Sequence, residues 1–188
     1  MTTTKTPKTI LGIDPGTTIM GYGVIQIIDK NPILKTMGTI KLYKYSNHYQ
    51  KLGYIFNRTE YLIHEYKPEE IAIEAPFFGK NIQSMLKLGR AQGVAIAAAL
   101  NLSVPIFEYA PRKIKLSITG SGAASKEQVA GILSAMLGFT KLPDDLDATD
   151  GLAVAVCHYF QGKRDVIPSK PGSSSWKDFI ANNPDRIK

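Results

Sequence analysis

The sequence predicts an α/β domain whose mixed five-stranded sheet is covered by helices. Three observations predict it: three β-rich segments open the chain, two later strands alternate with helical periodicity, and the 188 residues are 44% hydrophobic. A chain of this size and composition can bury a sizeable core in one unit. We therefore expect one domain over residues 1–162 and a flexible C-terminal tail over residues 163–188.

The first three strands are expected to form an antiparallel meander. Residues 10–14 form a short apolar strand that ends in the turn Pro15-Gly16-Thr17-Thr18, because proline fixes φ and glycine tolerates positive φ. A second strand is predicted over residues 22–28 and a third over residues 34–42. Asn31-Pro32 interrupts the chain between them.

Helices and strands alternate in the rest of the chain. Apolar residues recur at helical spacing over residues 48–66, and Pro68 ends the run. The later elements are a strand over 70–74, a helix over 82–100, a strand over 104–109, a helix from the capping box Ser125-Lys126-Glu127-Gln128 to residue 137, and a helix over 147–160. Beyond Gly162, proline, glycine and serine predict the flexible tail.

Charge and cysteine content narrow the function classes. The formal net charge is +7, which favours a polyanionic partner such as nucleic acid. The single Cys157 follows an apolar run, cannot form an internal disulfide, and fits a reducing compartment. The polar N-terminus has no apolar signal core, and the most apolar stretch, residues 93–100, is too short to span a bilayer. We expect a soluble cytoplasmic protein.

Four carboxylates lie where a strand end or a helix start would direct them. Asp14 ends a strand expected at the centre of the sheet, where an unpaired carboxylate is strongly destabilising; alternatively, it bonds the amides of its own turn. Glu74 ends another strand, and its alternative is an exposed position on an edge strand. Asp147 and Asp150 share one face of a helix start, although acids there also favour the helix dipole.

Together the four acids suit two divalent cations. Phosphodiester hydrolysis by the two-metal route needs ions about 3.5–4 Å apart, one activating water and one stabilising the leaving oxygen. Hard cations prefer oxygen ligands, whereas His48, His64 and His158 are too scattered for a zinc site. We therefore expect a metal-dependent nuclease with two Mg²⁺ per active site, Mn²⁺ being the alternative.

Six sequence blocks closely resemble the RuvC family of bacterial Holliday-junction resolvases in their order and spacing, over roughly residues 8–160. The blocks are Ile10-Leu11-Gly12-Ile13-Asp14-Pro15-Gly16, Gly21-Tyr22-Gly23-Val24, Ala72-Ile73-Glu74, Leu86-Lys87-Leu88-Gly89-Arg90, Gly93-Val94-Ala95 and Asp147-Ala148-Thr149-Asp150-Gly151-Leu152-Ala153. The resemblance implies an RNase H-like fold, a homodimer, and paired symmetric nicks in two like strands of a four-way DNA junction. It also implies that Asp14, Glu74, Asp147 and Asp150 are the catalytic, metal-binding acids.

The resemblance further implies contacts with DNA and with other proteins. Phe77 matches an aromatic residue that stacks on an unpaired base near the junction centre, its alternative being ordinary packing. Lys115 and Lys126 match basic residues near the scissile phosphate. The expected backbone contacts are Lys80, Asn81 and Arg112. A family partner is the RuvA–RuvB branch-migration complex.

One departure from the family follows the catalytic glutamate. Ala75-Pro76 stands where many relatives have Gln-Val, so contacts made by that glutamine are missing. Base preference or junction opening is therefore expected to differ from those relatives. The segment after Gly162 is also unlike the family core, and the sequence assigns it no role.

The helix over residues 82–100 gives an independent argument for a dimer. Gly89, Gly93 and Ala97 are spaced by four, and the second half of this helix has almost no polar side. One face can cover the sheet, and the other is expected to meet a second copy of the chain. The alternative is burial under another helix of the same subunit.

Three other functions remain open. Residues 12–18 also resemble the first phosphate loop of sugar kinases and chaperone ATPases, but 188 residues leave no room for their second lobe. YqgF-type nucleases are related, but such chains are shorter and the blocks fit RuvC better. A module that binds junctions without cutting them is the third, and the complete set of four acids argues against it.

Overall fold

The computed structural model describes residues 7–76 and 81–164, and these contain five strands and five helices. The strands are β1 (Lys8–Asp14), β2 (Ile19–Ile28), β3 (Asn31–Lys41), β4 (Glu70–Glu74) and β5 (Ile106–Tyr109). The helices are α1 (His48–Tyr66), α2 (Ile82–Asn101), α3 (Pro111–Thr119), α4 (Lys126–Leu137) and α5 (Asp147–Arg164). The predicted mixed five-stranded sheet covered by helices is therefore confirmed.

The strands form one sheet in the order β3-β2-β1-β4-β5. The first three pair antiparallel, as the predicted meander requires, and β4 runs parallel to both β1 and β5. Strand β1 is therefore central, as expected for the strand that ends at Asp14. Strand β4 is flanked on both sides, so the alternative that placed Glu74 on an edge strand is wrong.

Helices cover both faces of the sheet, so the domain has three layers and a hydrophobic core on each face of the sheet. Because side chains alternate along a strand, Leu11 and Ile13 pack with the core beneath α1 and α2, whereas Ile10 packs with the core beneath α3, α4 and α5. Asp14 lies on the same side as Ile10 and Gly12. The central strand therefore directs this carboxylate toward the start of α5.

Glycines bring α5 into close contact with the sheet. A Cβ on Gly12 would lie 2.3 Å from the carbonyl oxygen of Gly151, and one on Gly21 would lie 1.9 Å from that of Asp147. Any side chain at these positions would clash with the helix backbone, so glycine alone permits this separation. The close approach brings the first turn of α5 to the end of β1, beside Asp14.

The β2–β3 connection differs from its predicted position. The turn is made by Asp29 and Lys30, whose φ angles are 50° and 65°, as a tight hairpin requires. Asn31 and Pro32, expected to interrupt the chain, instead pair with the end of β2. Pro32 is tolerated there because β3 is an edge strand, where a missing N–H costs no hydrogen bond within the sheet.

Helix α3 was not predicted, although the sequence contains both of its end signals. Pro111 lies in its first turn, where a missing N–H is harmless, and Gly120 ends it with a φ of 75°. The capping box at Ser125 is confirmed, since its side chain accepts from the Gln128 N–H and the Gln128 side chain accepts from the Ser125 N–H. Cys157 is fully buried, as predicted.

The C-terminal helix α5 continues to Arg164, past the predicted domain boundary at residue 162. The rest of the predicted tail, residues 165–188, lies outside the described residues. Among the helices that the structure describes, none combines the length and apolar character needed to cross a membrane.

Candidate active site

Three of the four predicted acids meet at the carboxyl end of the central strand. Asp14, at the end of β1, and Asp147 and Asp150, in the first turn of α5, each offer one oxygen, and these oxygens all lie within 4.8 Å of one another. Each side chain is only partly buried, so the cluster is open to solvent. This arrangement can hold a divalent cation, whose preferred ligands are carboxylate oxygens.

The fourth acid, Glu74, lines the same cavity from the neighbouring strand but lies outside the tight group of three. The cavity has a volume of about 350 Å³ and is open to one side. It is lined by Asp14, Glu74, Pro111, Ile114, Lys115, Lys126, Val129, Asp150 and Ala153. Asp14, Glu74 and Asp150 therefore share one cavity, and Asp147 joins them through the group of three.

Burial and mutual repulsion raise the pKa values of Asp14, Glu74 and Asp150. Burial raises the pKa of Asp14 well above its ordinary value, and the charges of Glu74 and Asp150 raise it further. The pKa of Glu74 is raised to about 7, first by burial and then by Asp150. Acids crowded in this way retain protons unless a cation compensates them. The donor set and its charge therefore fit divalent metal ions.

Lys126, at the start of α4, supplies a positive charge to this cluster. Its ammonium nitrogen lies 2.7 Å from Oδ1 of Asp147 and 2.5 Å from Oδ2 of Asp150. Burial lowers the pKa of Lys126, but the two carboxylates outweigh burial and leave the pKa above its ordinary value. Lys126 therefore contacts the carboxylates themselves, a pairing that sequence reasoning did not identify.

Of the other predicted DNA-contact residues that the structure describes, Lys115 lies at the cavity, which it lines from α3. Arg112 is exposed on the same helix, its side chain lying over the Gly122 backbone. Asn81 is the N-cap of α2, where its side chain accepts a hydrogen bond from the Ser84 N–H at 3.0 Å. Phe77 and Lys80 lie outside the described residues.

Gln92 of α2 is a buried polar residue that sequence reasoning did not identify. Its Nε2 donates to the backbone carbonyl of Glu74 at 3.3 Å and to Oε2 of Glu108 at 2.8 Å. The side chain thereby connects α2 to the ends of β4 and β5. The available signal was an amide directly before the apolar stretch of residues 93–100.

Comparison with known proteins identifies the family. The family model described as crossover junction endodeoxyribonuclease RuvC matches residues 10–158. A curated protein of that name from Bacteroides fragilis is 61% identical over 183 residues, covering 96% of each chain. Another, from Porphyromonas gingivalis, is 54% identical over 187 residues, covering 96% of this chain and 97% of its own.

Solved structures agree with the sequence comparison. Thermus thermophilus RuvC in complex with a Holliday junction substrate superposes with a TM-score of 0.77 and 30% identity, covering 84% of this chain and 96% of that one. A yeast mitochondrial Holliday junction resolvase, at 12% identity and a TM-score of 0.58, shares the fold. The predicted RNase H-like fold is thus confirmed, and the chain belongs to the RuvC family of crossover junction endodeoxyribonucleases.

Proposed function

We propose that this chain resolves four-way DNA junctions by paired symmetric nicks, with Asp14, Glu74, Asp147 and Asp150 holding two divalent metal ions. Its family membership makes it a DNA endonuclease of recombination and repair. The observation that carries the proposal is the meeting of three carboxylates within 4.8 Å, with Glu74 on the wall of the same cavity. A module that only binds junctions has no need of such a costly cluster of acids.

The four acids fit Mg²⁺, and they fit Mn²⁺ equally well because both ions accept carboxylate ligands. All four candidate ligands are carboxylates, which suit hard cations better than zinc or copper. When bound, the two ions supply an activated water and stabilise the leaving oxygen of the phosphodiester. Asp14 belongs both to the group of three and to the cavity lined by Glu74, so it would hold the ions together with the other three acids. We expect 5′-phosphate and 3′-hydroxyl ends.

Two lysines of the cavity give the scissile phosphate its counter-charge. Lys115 lines the cavity from α3, and Lys126 reaches it from the start of α4. Both ammonium groups can neutralise phosphate oxygens and hold the strand against the acids. The remaining predicted contacts, at Phe77, Lys80, Asn81 and Arg112, would then orient the junction around this point.

The substrate we propose is four-way junction DNA. Thermus thermophilus RuvC, which shares the fold and 30% of the aligned residues, has been solved with a Holliday junction substrate. The net charge of +7 favours the phosphate backbone over a neutral ligand. The cavity is open along one side, which a continuous DNA strand requires.

We also propose that two copies of the chain associate through α2. Its exposed face presents Gly93 and Ala97, with Ile82, Leu86 and Leu100 exposed by 64%, 49% and 63%. Gly89, one turn before Gly93, has open space where a Cβ would stand. Close approach of a second helix would bury this apolar stripe. Two related active sites would then act on two related strands.

The family resemblance alone supports two further expectations. One is contact with the RuvA–RuvB branch-migration complex, which would deliver junctions to the dimer. The other is action in the cytoplasm, where the bacterial chromosome lies.

A cleavage assay tests the proposed function. A labelled four-way junction and a linear duplex of the same sequence are incubated with the protein, with and without Mg²⁺. We expect metal-dependent nicks in two like strands of the junction and none in the duplex. Asp14→Asn should retain binding and lose cleavage. Metal-dependent nicking by Asp14→Asn, or equal cutting of the duplex, would contradict the proposal.

A further inference from the structure

Two long segments of this chain contain no acidic residue, and the structure packs them together. Residues 30–59 and 75–107 contain only basic charges, apart from histidine. The first includes the N-terminal part of α1 and the second includes all of α2. At their junction lie His48 and Lys51 of α1, with Lys87 and Arg90 of α2. We call these four residues the α1–α2 basic surface.

This surface lies at the same end of the sheet as the carboxylates. The Lys51 ammonium donates to the carbonyl oxygen of Thr17 at 3.1 Å. The segment leading into α1 is fixed to the same turn, because the backbone N–H groups of Leu42 and Tyr43 donate to the Thr18 carbonyl at 2.9 and 3.1 Å. This turn directly follows Asp14, so the basic surface continues outward from the active site.

The cations of the surface are close together and lack acidic neighbours. Burial lowers the pKa of His48, and Arg90, Lys87 and Lys51 lower it further, so all three cations act on one imidazole. Within residues 7–76 and 81–164, none of these cations forms an ion pair with a carboxylate. Lys87 and Arg90 are exposed, and Nε2 of His48 is buried without a hydrogen-bond partner among the described residues.

The helical positions place both α2 cations on one side of the proposed dimer contact. At 3.6 residues per turn, Lys87 lies on the α1 side of α2, between its buried face and the exposed apolar stripe. Arg90 borders the stripe on that same side. Two exposed tyrosines belong to the same region: the Tyr49 ring lies 6.2 Å from the His48 ring, and the Tyr43 backbone binds the Thr18 carbonyl. Their hydroxyl groups extend the set of donors that face solvent.

Cations that are clustered without acids repel one another in the free protein. A bound polyanion would offset this repulsion. The two α2 cations are exposed, and Lys51 binds the turn that follows Asp14, so the surface lies beside the site proposed to bind the cleaved phosphodiester. This position suits a nucleic-acid backbone better than an acidic peptide. We propose that the α1–α2 basic surface binds the phosphate backbone of the junction arm that leads to the cleaved strand. This inference rests on the proposed junction-cleaving function and assigns it a second contact region.

The salt dependence of binding provides the test. Affinity for a four-way junction is measured without divalent metal at several salt concentrations for the wild type and for Lys87→Gln, Arg90→Gln and the double variant. Each lost phosphate contact should reduce the slope of log affinity against log salt by about one. The matched control is Lys67→Gln, an exposed cation at the opposite end of α1.

We expect a smaller slope for each α2 variant and an unchanged slope for Lys67→Gln. The loss should be the same for junctions of different sequence, and thermal unfolding should match the wild type. An unchanged slope in the double variant would overturn the inference, as would an equal reduction in Lys67→Gln. Single-turnover cleavage by the wild-type protein separates the two proposals. If the wild type cleaves the junction but the double variant keeps the wild-type salt slope, only the contact between the basic surface and the junction arm is refuted. If the wild type does not cleave the junction, the proposed function is refuted.

Discussion

Lys126 and Asp150 form an ion pair inside the cluster of acids, with 2.5 Å between the ammonium nitrogen and Oδ2. The same ammonium contacts Oδ1 of Asp147 at 2.7 Å. Both carboxylates are candidate ligands of a divalent cation, so lysine and metal would compete for them. The pair explains how acids with raised pKa values can coexist in the folded chain: one internal cation offsets part of their repulsion.

Replacing Lys126 with methionine should therefore separate metal binding from turnover. Methionine keeps a long apolar side chain but removes the charge, so Mg²⁺ or Mn²⁺ should bind more tightly at the freed carboxylates. The cleavage rate at saturating metal should fall, because the phosphate loses a counter-charge. Calorimetric titration with Mn²⁺ and single-turnover cleavage measure the two effects. Weaker metal binding in Lys126→Met would contradict the competition.

The raised pKa of Glu74 predicts how stability depends on pH without metal. Glu74 titrates at about 7 in the folded chain, against an ordinary value of 4.5, because burial and Asp150 disfavour its charge. Between these values the folded state binds more protons than the unfolded state, so the free energy of unfolding should fall as pH rises. Denaturant unfolding with a chelator at pH 5 and pH 8 measures this change.

Two comparisons make that pH prediction specific. Glu74→Gln should lose much of the fall in stability, because an amide has no proton to release in this window. Adding Mg²⁺ at pH 8 should restore stability in the wild type, since metal binding favours the ionised carboxylates. If the wild-type chain becomes more stable between pH 5 and pH 8 without metal, the raised pKa of Glu74 is contradicted.

The sequence predicts which side of the sheet the acidic side chains occupy, because residues at strand ends and helix starts have defined side-chain directions. Asp14 and Glu74 follow short apolar strands, and period-two alternation places both on the side of α5. Lys126 pairing with Asp147 was not predictable, because it depends on how α4 packs beside α5. The same holds for Gln92, whose contact with Glu74 crosses from a helix to a strand end.

The missed helix α3 has a different cause. Its nine residues bury only Ile114, so the apolar periodicity that reveals α1 is absent. Its end signals, Pro111 and Gly120, do not predict a helix without that periodicity. The β2–β3 turn was misplaced because Asn31-Pro32 is the stronger turn signal in the sequence, although Asp29 and Lys30 adopt the positive φ angles.

Gln92 should affect cleavage through the position of Glu74. Gln92→Leu keeps an apolar helix face but removes the donor to the Glu74 carbonyl, so the end of β4 loses a tether from α2. We expect a several-fold lower cleavage rate and a higher Mg²⁺ requirement, with junction affinity in chelator unchanged. Single-turnover cleavage across a Mg²⁺ series measures the shift.

Glu108→Ala is the matched control, because it removes the other partner of Gln92 and leaves the donor to the Glu74 carbonyl in place. This variant should keep the wild-type cleavage rate and Mg²⁺ requirement. A cleavage defect equal to that of Gln92→Leu would mean that Gln92 acts through Glu108 and not through Glu74.

Gly151 should be required for the distance between α5 and the sheet. A Cβ at this position would lie 2.4 Å from the Tyr22 nitrogen and 2.5 Å from its Cα, so Gly151→Ala must push α5 away from β2. Asp147 and Asp150 would move with the helix and away from Asp14. We expect a destabilisation of about 1–3 kcal/mol and loss of cleavage.

Gly131 provides the matched control, because it lies inside α4 with no atom within 4 Å of where its Cβ would stand. Gly131→Ala should stabilise the chain by up to about 1 kcal/mol through helix propensity and leave cleavage unchanged. Denaturant unfolding and the junction assay measure both variants. A stable and active Gly151→Ala protein would show that α5 does not need this close approach.

The exposed face of α2 predicts a change in oligomeric state and in the reaction product. Leu100 is 63% exposed within the apolar stripe, whereas Leu116 of α3 is 53% exposed outside it. Leu100→Glu should therefore give a folded monomer, and Leu116→Glu should remain a dimer, in sedimentation at micromolar concentration.

On a supercoiled plasmid with an extruded four-way junction, a dimer that cuts both strands linearises the plasmid. The Leu100→Glu monomer should instead accumulate nicked circles, because its cuts are no longer paired; linear product from a monomeric variant would refute the link between α2 association and paired nicking.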